Sequence, residues 1–276
     1  MPLINKLSFI DLITNLTAES SKPYVGMGNP DSNILMVGTE KALNADNPNN
    51  DHESILIHEL CLNVAHWNNL LVEYNYLDNP FDLMLLERPL PFAGFNPFSP
   101  LLFEITHNMV YGKGGRTYYG IQRLVNHYEV LHNLPVTNAF ETINFNNSTF
   151  SKCFITEISA NPAINQMQAA FKLNHFFEGD RYNFMTNEAA AFYQSFSTVV
   201  IYAGKNKKYV GQEGTENRLN IIRIFNPNLE HFHIHRMENH IYYDNGEGAR
   251  VILCRHLAGG FGHARAHEIA LSIVED

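Results

Sequence analysis

The chain has 276 residues, 45% of them hydrophobic, and a formal net charge of −9. That length holds one large domain or two small ones with ample core, and no apolar run approaches the roughly 20 residues needed to span a bilayer. The acidic balance argues against polyanion binding by the molecule as a whole, so any nucleic-acid contact must use a local basic face.

Cys61, Cys153 and Cys254 are far apart and form no CxxC pair. A cysteine-built zinc or iron–sulfur site is therefore not expected, and a reducing, cytoplasmic setting is. In chain order, the N-terminal MPLINKLSFIDLITNL mixes acidic and polar residues with apolar ones, which predicts an amphipathic helix and not a signal peptide. Ile34–Val37 is a continuous apolar run bounded by Asn29-Pro30-Asp31 and ended by Gly38, the pattern of a buried parallel strand. Helical spacing follows over Asp51–Tyr74, with Leu56, Leu60, Val64, Trp67, Leu71 and Tyr74 on one face. The stretch LERPLPFAGFNPFSPLLF carries Pro89, Pro91, Pro97 and Pro100 and reads as loop, because proline removes backbone donors and forbids regular pairing.

Tyr118–Leu131 places Ile121, Leu124, Val125 and Tyr128 on one helical face. Strands are then predicted at Cys153–Ile158, Thr198–Ala203 and Arg250–Cys254, with helices over Asn165–Phe177, Asn187–Phe196 and His263–Val274. Strands alternating with helices indicate βαβ units. The expected fold is a single three-layer α/β/α domain over residues 1–276, with a central four-stranded parallel sheet and a helical and loop insertion at about 44–151.

In open α/β sheets ligands bind outside the carboxyl ends of the strands. Gly38-Thr39-Glu40 ends the first strand and Arg255-His256 follows the last. Glu40 reads either as a carboxylate that orients water or as an acid at a helix N-terminus. Gly259-Gly260-Phe261-Gly262 after His256 lets backbone approach a ligand and leads into a helix start with free N–H groups. Two basic groups lie near, Lys113 with Arg116 in a glycine loop and Lys205, Lys207 and Lys208 after the third strand; both suit phosphate contacts. His231-Phe232-His233-Ile234-His235 would align three imidazoles on one strand face. That geometry can bind a transition metal, but a polar strand face is the favoured reading and no metal or cofactor is expected.

Four segments, GNPDSNILMVGTEKA, CFITEISANPA, TVVIYAGKNKK and VILCRHLAGGFG, occur in one order. Together they resemble the sheet strands of the uracil-DNA glycosylase superfamily. Gly38-Thr39-Glu40 matches that family's first motif, and His256 matches the start of its last. The resemblance runs from Gly26 to the C-terminus and is loose over Asn44–Ser151. It implies a DNA glycosylase that flips a nucleotide and hydrolyses the bond between base and sugar. Glu40 would position water and stabilise the sugar cation, and His256 would donate a hydrogen bond to the departing base. Arg255, Gly259 and Gly260 would lie against DNA, with Phe261 as the wedge that fills the vacated stack. Phe92, Phe95 and Phe98 in the proline-rich stretch read either as rings that sandwich a flipped base or as core aromatics that anchor the loop, and Phe95 and Phe98 are assigned to the base.

The chain departs from the family in three places. Leu257-Ala258-Gly259 replaces a proline-serine-proline, and Lys41 stands where a proline often follows the acid. Glu157, with Thr156 beside it, takes the place of an asparagine that reads uracil. An ionised carboxylate only accepts hydrogen bonds, so an amino-bearing edge such as that of cytosine or a modified base suits it better than uracil. DNA bound by a monomer, with no membrane, is the expected partner. The alternatives are an inactive nucleic-acid-binding or sensing module of the same fold and a metal-dependent hydrolase using the histidine run.

Overall fold

A computed structural model of the chain describes residues 4–17, 23–39, 61–85, 96–101, 115–159, 171–203, 207–228, 232–258 and 261–274. The four predicted strands form β2 (Ile34–Gly38), β3 (Phe154–Glu157), β4 (Thr198–Ile201) and β7 (Arg250–Cys254). They are contiguous and mutually parallel, in the order β3-β2-β4-β7. Every residue of β2, β3 and β4 is buried, which is why these segments read as unbroken apolar runs: both faces of a parallel sheet are covered.

The sheet is larger than the expected four strands and is mixed. With β1 (Met27–Gly28), β5 (His233–Arg236) and β6 (His240–Asp244) it has seven strands in the order β1-β3-β2-β4-β7-β6-β5. The two-residue strand β1 (Met27–Gly28) pairs antiparallel with β3 at one edge. At the other edge β6 (His240–Asp244) runs antiparallel to β7, and β5 (His233–Arg236) runs antiparallel to β6. A two-residue strand has no alternation to detect. β6 alternates only loosely, because it is partly covered.

One face of the sheet is filled by aromatic side chains of three helices. Phe9 of α1 (Leu7–Thr17), Trp67 of α2 (Asn63–Asn69) and Phe192 of a short helix at Ala190–Tyr193 all surround Phe154. Asn63 and Trp67 also hold the turn before β1: Asn63 Oδ1 accepts from Val25 and Gly26, and Trp67 Nε1 donates to the Gly26 carbonyl at 2.8 Å. Gly26 has φ +145° and an added Cβ would lie 2.4 Å from the Ile155 carbonyl oxygen, so only glycine fits there.

The predicted helix at Tyr118–Leu131 lies within α3 (Gly115–Leu131), and the last helix is α4 (His263–Ala270), shorter than predicted. Beyond Ala270 the chain turns so that the Val274 N–H reaches Thr198 Oγ1 at the start of β4, 3.0 Å away. The expected helix Asn187–Phe196 forms only over Ala190–Tyr193, and Asn165–Phe177 only over Leu173–Phe177 among the described residues. Leu56 and Leu60 lie outside the described residues. Among the described residues no helix is long and apolar enough to cross a membrane.

Candidate functional site

Register brings the carboxyl ends of the parallel strands together. Val37, Ile201 and Leu253 form one row across β2, β4 and β7, and Gly38 lies beside Glu157 across β2 and β3. The chain leaves this edge in order. Ile158 N–H donates to the Gly38 carbonyl at 3.1 Å, Ser159 N–H to Thr39 at 2.8 Å, and Tyr202 N–H to Val37 at 3.0 Å.

Glu157 is 6% exposed and its carboxylate lies over Gly38. A Cβ at Gly38 would stand 2.0 Å from Glu157 Oε2, so the glycine is what leaves room for the acid. Thr156 faces the other way, as successive strand residues must. Its Oγ1 donates to the Val25 carbonyl at 2.9 Å and meets Tyr193 Oη at 3.2 Å and Arg181 Nη2 at 3.1 Å. Thr156 is thereby committed to the scaffold on the face opposite Glu157 and does not read a base there. Arg181, which the sequence did not single out, joins this network and donates to the Glu157 carbonyl at 2.6 Å.

His256 follows β7 and is partly buried. The Ala258 N–H donates to its Nδ1 at 3.1 Å, so Nδ1 carries the lone pair and the proton of the neutral ring is on Nε2. Burial lowers its pKa from the ordinary histidine value, because removing water disfavours the charged ring. The buried ring of Tyr202, at the end of β4, lies edge-on to it with centroids 5.8 Å apart. The result is a neutral imidazole held in one tautomer, able to donate from Nε2. Arg255 beside it is exposed.

Two aromatic expectations are corrected. Phe98 is 1% exposed and packs on Trp67 and Phe145, with centroids 5.3 Å and 4.9 Å away; it is core and not part of a base sandwich. Phe261 is 3% exposed, and its carbonyl accepts from Arg123, so it anchors the loop and is not a wedge standing in solvent. Both follow from the large apolar area of a phenyl ring, which is more stable in the core than in water.

Lys207 opens the short helix Lys207–Val210 and is exposed, while Lys208 Nζ lies 5.5 Å from the Tyr209 ring centroid. Glu40, Phe95, Lys113, Lys205, Gly259 and Gly260 lie outside the described residues, as does the side chain of Arg116.

The histidine run does form a strand with His233 and His235 on one face, ring centroids 6.4 Å apart. His235 is stacked on Tyr242 at 4.4 Å, and His231 lies outside the described residues. Two further histidine constellations join residues far apart in the sequence. His240 Nε2 is 2.8 Å from Ser272 Oγ and its Nδ1 is 3.6 Å from Glu268. This is the order of a nucleophilic triad, but Ser272 and His240 are both buried, 5% and 3% exposed, in the packing between β6 and the C-terminal segment. It serves as an interlock between β6 and the C-terminal segment. The other constellation joins His127 on α3 to His263 and His267 on α4. There burial, the two neighbouring imidazoles and Arg123 all lower the pKa of His127.

No family model, no curated protein and no solved structure matches this chain.

Proposed function

We propose that the protein is a monofunctional DNA glycosylase, a divergent member of the uracil-DNA glycosylase superfamily. It hydrolyses the N-glycosidic bond of a flipped-out modified or cytosine-type pyrimidine. The observation that carries this reading is His256, a neutral Nε2–H donor at the carboxyl end of a parallel strand. Loss of a base leaves negative charge on its oxygen, and a fixed neutral donor stabilises that charge without a proton transfer.

The register supports a partner for it. Glu40 is three residues past Val37, and His256 is three residues past Leu253, in the same row of the sheet. With β4 between them, β2 and β7 are two strand spacings apart, about 10 Å. Glu40 is assigned to orient water and to stabilise the sugar cation. Glu157, an acceptor when ionised, is assigned to an amino-bearing base edge. Lys207, Lys208 and Arg255 would meet phosphates of DNA bound by a monomer in the cytoplasm. No cofactor is needed for this chemistry.

Mass spectrometry of bases freed from oligonucleotides carrying uracil, cytosine or modified cytosines tests both the activity and the base. Release is expected from at least one cytosine-type substrate, and His256→Ala or Glu40→Ala is expected to slow it by about 10²-fold or more. Excision of uracil alone would overturn the assignment of Glu157. DNA binding without release of any base would favour an inactive sensing module instead.

A further inference from the structure

Helix α4 is held on α3 by a contact whose polar part carries imidazoles and a guanidinium. His127 Nε2 and His263 Nδ1 are 3.2 Å apart. The rings of His263 and His267 stand edge-on to that of His127, with centroids 5.4 Å and 5.6 Å away. Arg123 lies one turn before His127 on α3 and donates to the Phe261 carbonyl at the approach to α4. The charges that act on His127 are those of His263, His267 and Arg123.

The other charged groups of these elements are turned to different partners. Glu129 of α3 accepts from the Thr137 N–H at 2.9 Å, with Lys152 acting on it, and His132, just after α3, lies against Tyr128. On α4, Arg265 donates to Asn239, and Glu268 accepts from Asn239 and faces His240. Thr149–Ser151, which also packs on α3, carries no charge. The loop before α4 brings Arg255, which is exposed, and His256, which meets Tyr202. Among the described residues, then, the cluster has no carboxylate to balance it.

The bond between His127 and His263 needs a lone pair on one of its two nitrogens. It survives a first proton and is lost with a second, when both nitrogens carry hydrogen. Two imidazolium rings would then face each other beside Arg123, and like charges at this range repel.

We propose that this contact is an acid-sensitive latch. With the imidazoles uncharged it holds α4 on α3, and with His127 and its neighbours protonated together it lets α4 go. The latch reaches the segment that carries His256. Leu257 rests on Gly120 of α3, and Phe261 is held by Arg123, so release loosens both ends of the loop that follows His256. Burial, the two neighbouring imidazoles and Arg123 lower the pKa of His127 in the fold, so the released helix takes up protons that the packed helix does not. The contact is at full strength above the ordinary histidine value of about 6.5 and weakens as pH falls from there toward the folded-state value of His127. The latch is therefore shut at neutral pH. It does not depend on the glycosylase reading.

The test is amide hydrogen exchange of the full chain across a pH series from about 5 to about 8, corrected for intrinsic exchange. Protection of the α4 amides is expected to be level above about 6.5 and to fall by about tenfold or more at the acid end. Those of β2 and β4 are expected to keep theirs. His127→Gln, which cannot titrate, is expected to abolish the acid loss. A double variant, His263→Gln with His267→Gln, is expected to reduce it; both residues are exposed, so this variant serves even if His127→Gln fails to fold. His235→Gln, on the exposed strand β5, is expected to retain the full loss. Protection of α4 that is level across the series, a loss shared equally by β2 and β4, or a loss undiminished in the variants of the cluster would overturn the proposal.

Discussion

His256 donates from Nε2 because a single backbone N–H, that of Ala258, occupies its other nitrogen. Protonation would place two N–H groups against each other at Nδ1, and burial already disfavours the charged ring. Both effects act in one direction, so the neutral form persists below the usual histidine range. Base release is therefore expected to stay level as pH falls through the ordinary histidine value of about 6.5 and to decline only at lower pH. A pH–rate profile whose acid limb sits at or above that value would show that the neutral imidazole is not the active form. His256 and Gly38-Thr39 were legible at this scale because each lies at the end of a buried strand, while Glu40 lies outside the described residues. The opposed directions of Thr156 and Glu157 follow from strand alternation. Which of the two faces the site depends on what covers each face: Tyr193 and Arg181 claim Thr156.

At the scale of elements, α3 sets the position of the loop that carries His256. Gly120 is buried against that loop, and a Cβ there would lie 2.3 Å from the Leu257 carbonyl oxygen and 2.7 Å from Leu257 Cβ. In an open helix, glycine to alanine stabilises by about 0.5–1 kcal/mol. Here the steric clash outweighs that gain, because the atoms met are backbone and a buried residue. Gly120→Ala is expected to destabilise by roughly 1–3 kcal/mol and to slow base release, since Leu257 is the neighbour of His256. Val130→Ala, exposed on the same helix, should change stability by no more than about 0.5 kcal/mol. Denaturant unfolding of the two variants checks the contrast, and equal stabilities would remove α3 as the support of the loop. The helix itself was readable from its apolar face, whereas its contact with Leu257 joins segments far apart in the chain.

For the whole molecule, the net charge of −9 means that long-range electrostatics oppose a polyanion. On the proposed function, binding to DNA would come from a few cations near the site and would weaken steeply with salt. Lys207→Ala and Lys208→Ala are each expected to weaken binding to a similar degree for all DNA sequences. Each should also reduce the slope of log affinity against log salt by about 1. Fluorescence anisotropy across a salt series measures both effects. An unchanged slope in the double variant would remove the third strand's basic segment from the interface.

The amino-acid sequence by itself determined the four parallel strands, their order along the chain, α3 and the start of α4. Each is specified by a local pattern: continuous apolar runs where both faces of a sheet are covered, and helical or alternating spacing where one face is. Only the tertiary structure decided the antiparallel edges, because β1 and β6 are held by their neighbours' hydrogen bonds more than by any pattern of their own. It also drew Phe98 and Phe261 into the core, where their rings are most stable, away from the roles that exposure would have allowed them. And it brought His127 within 3.2 Å of His263 across 136 residues, a proximity that no local pattern encodes.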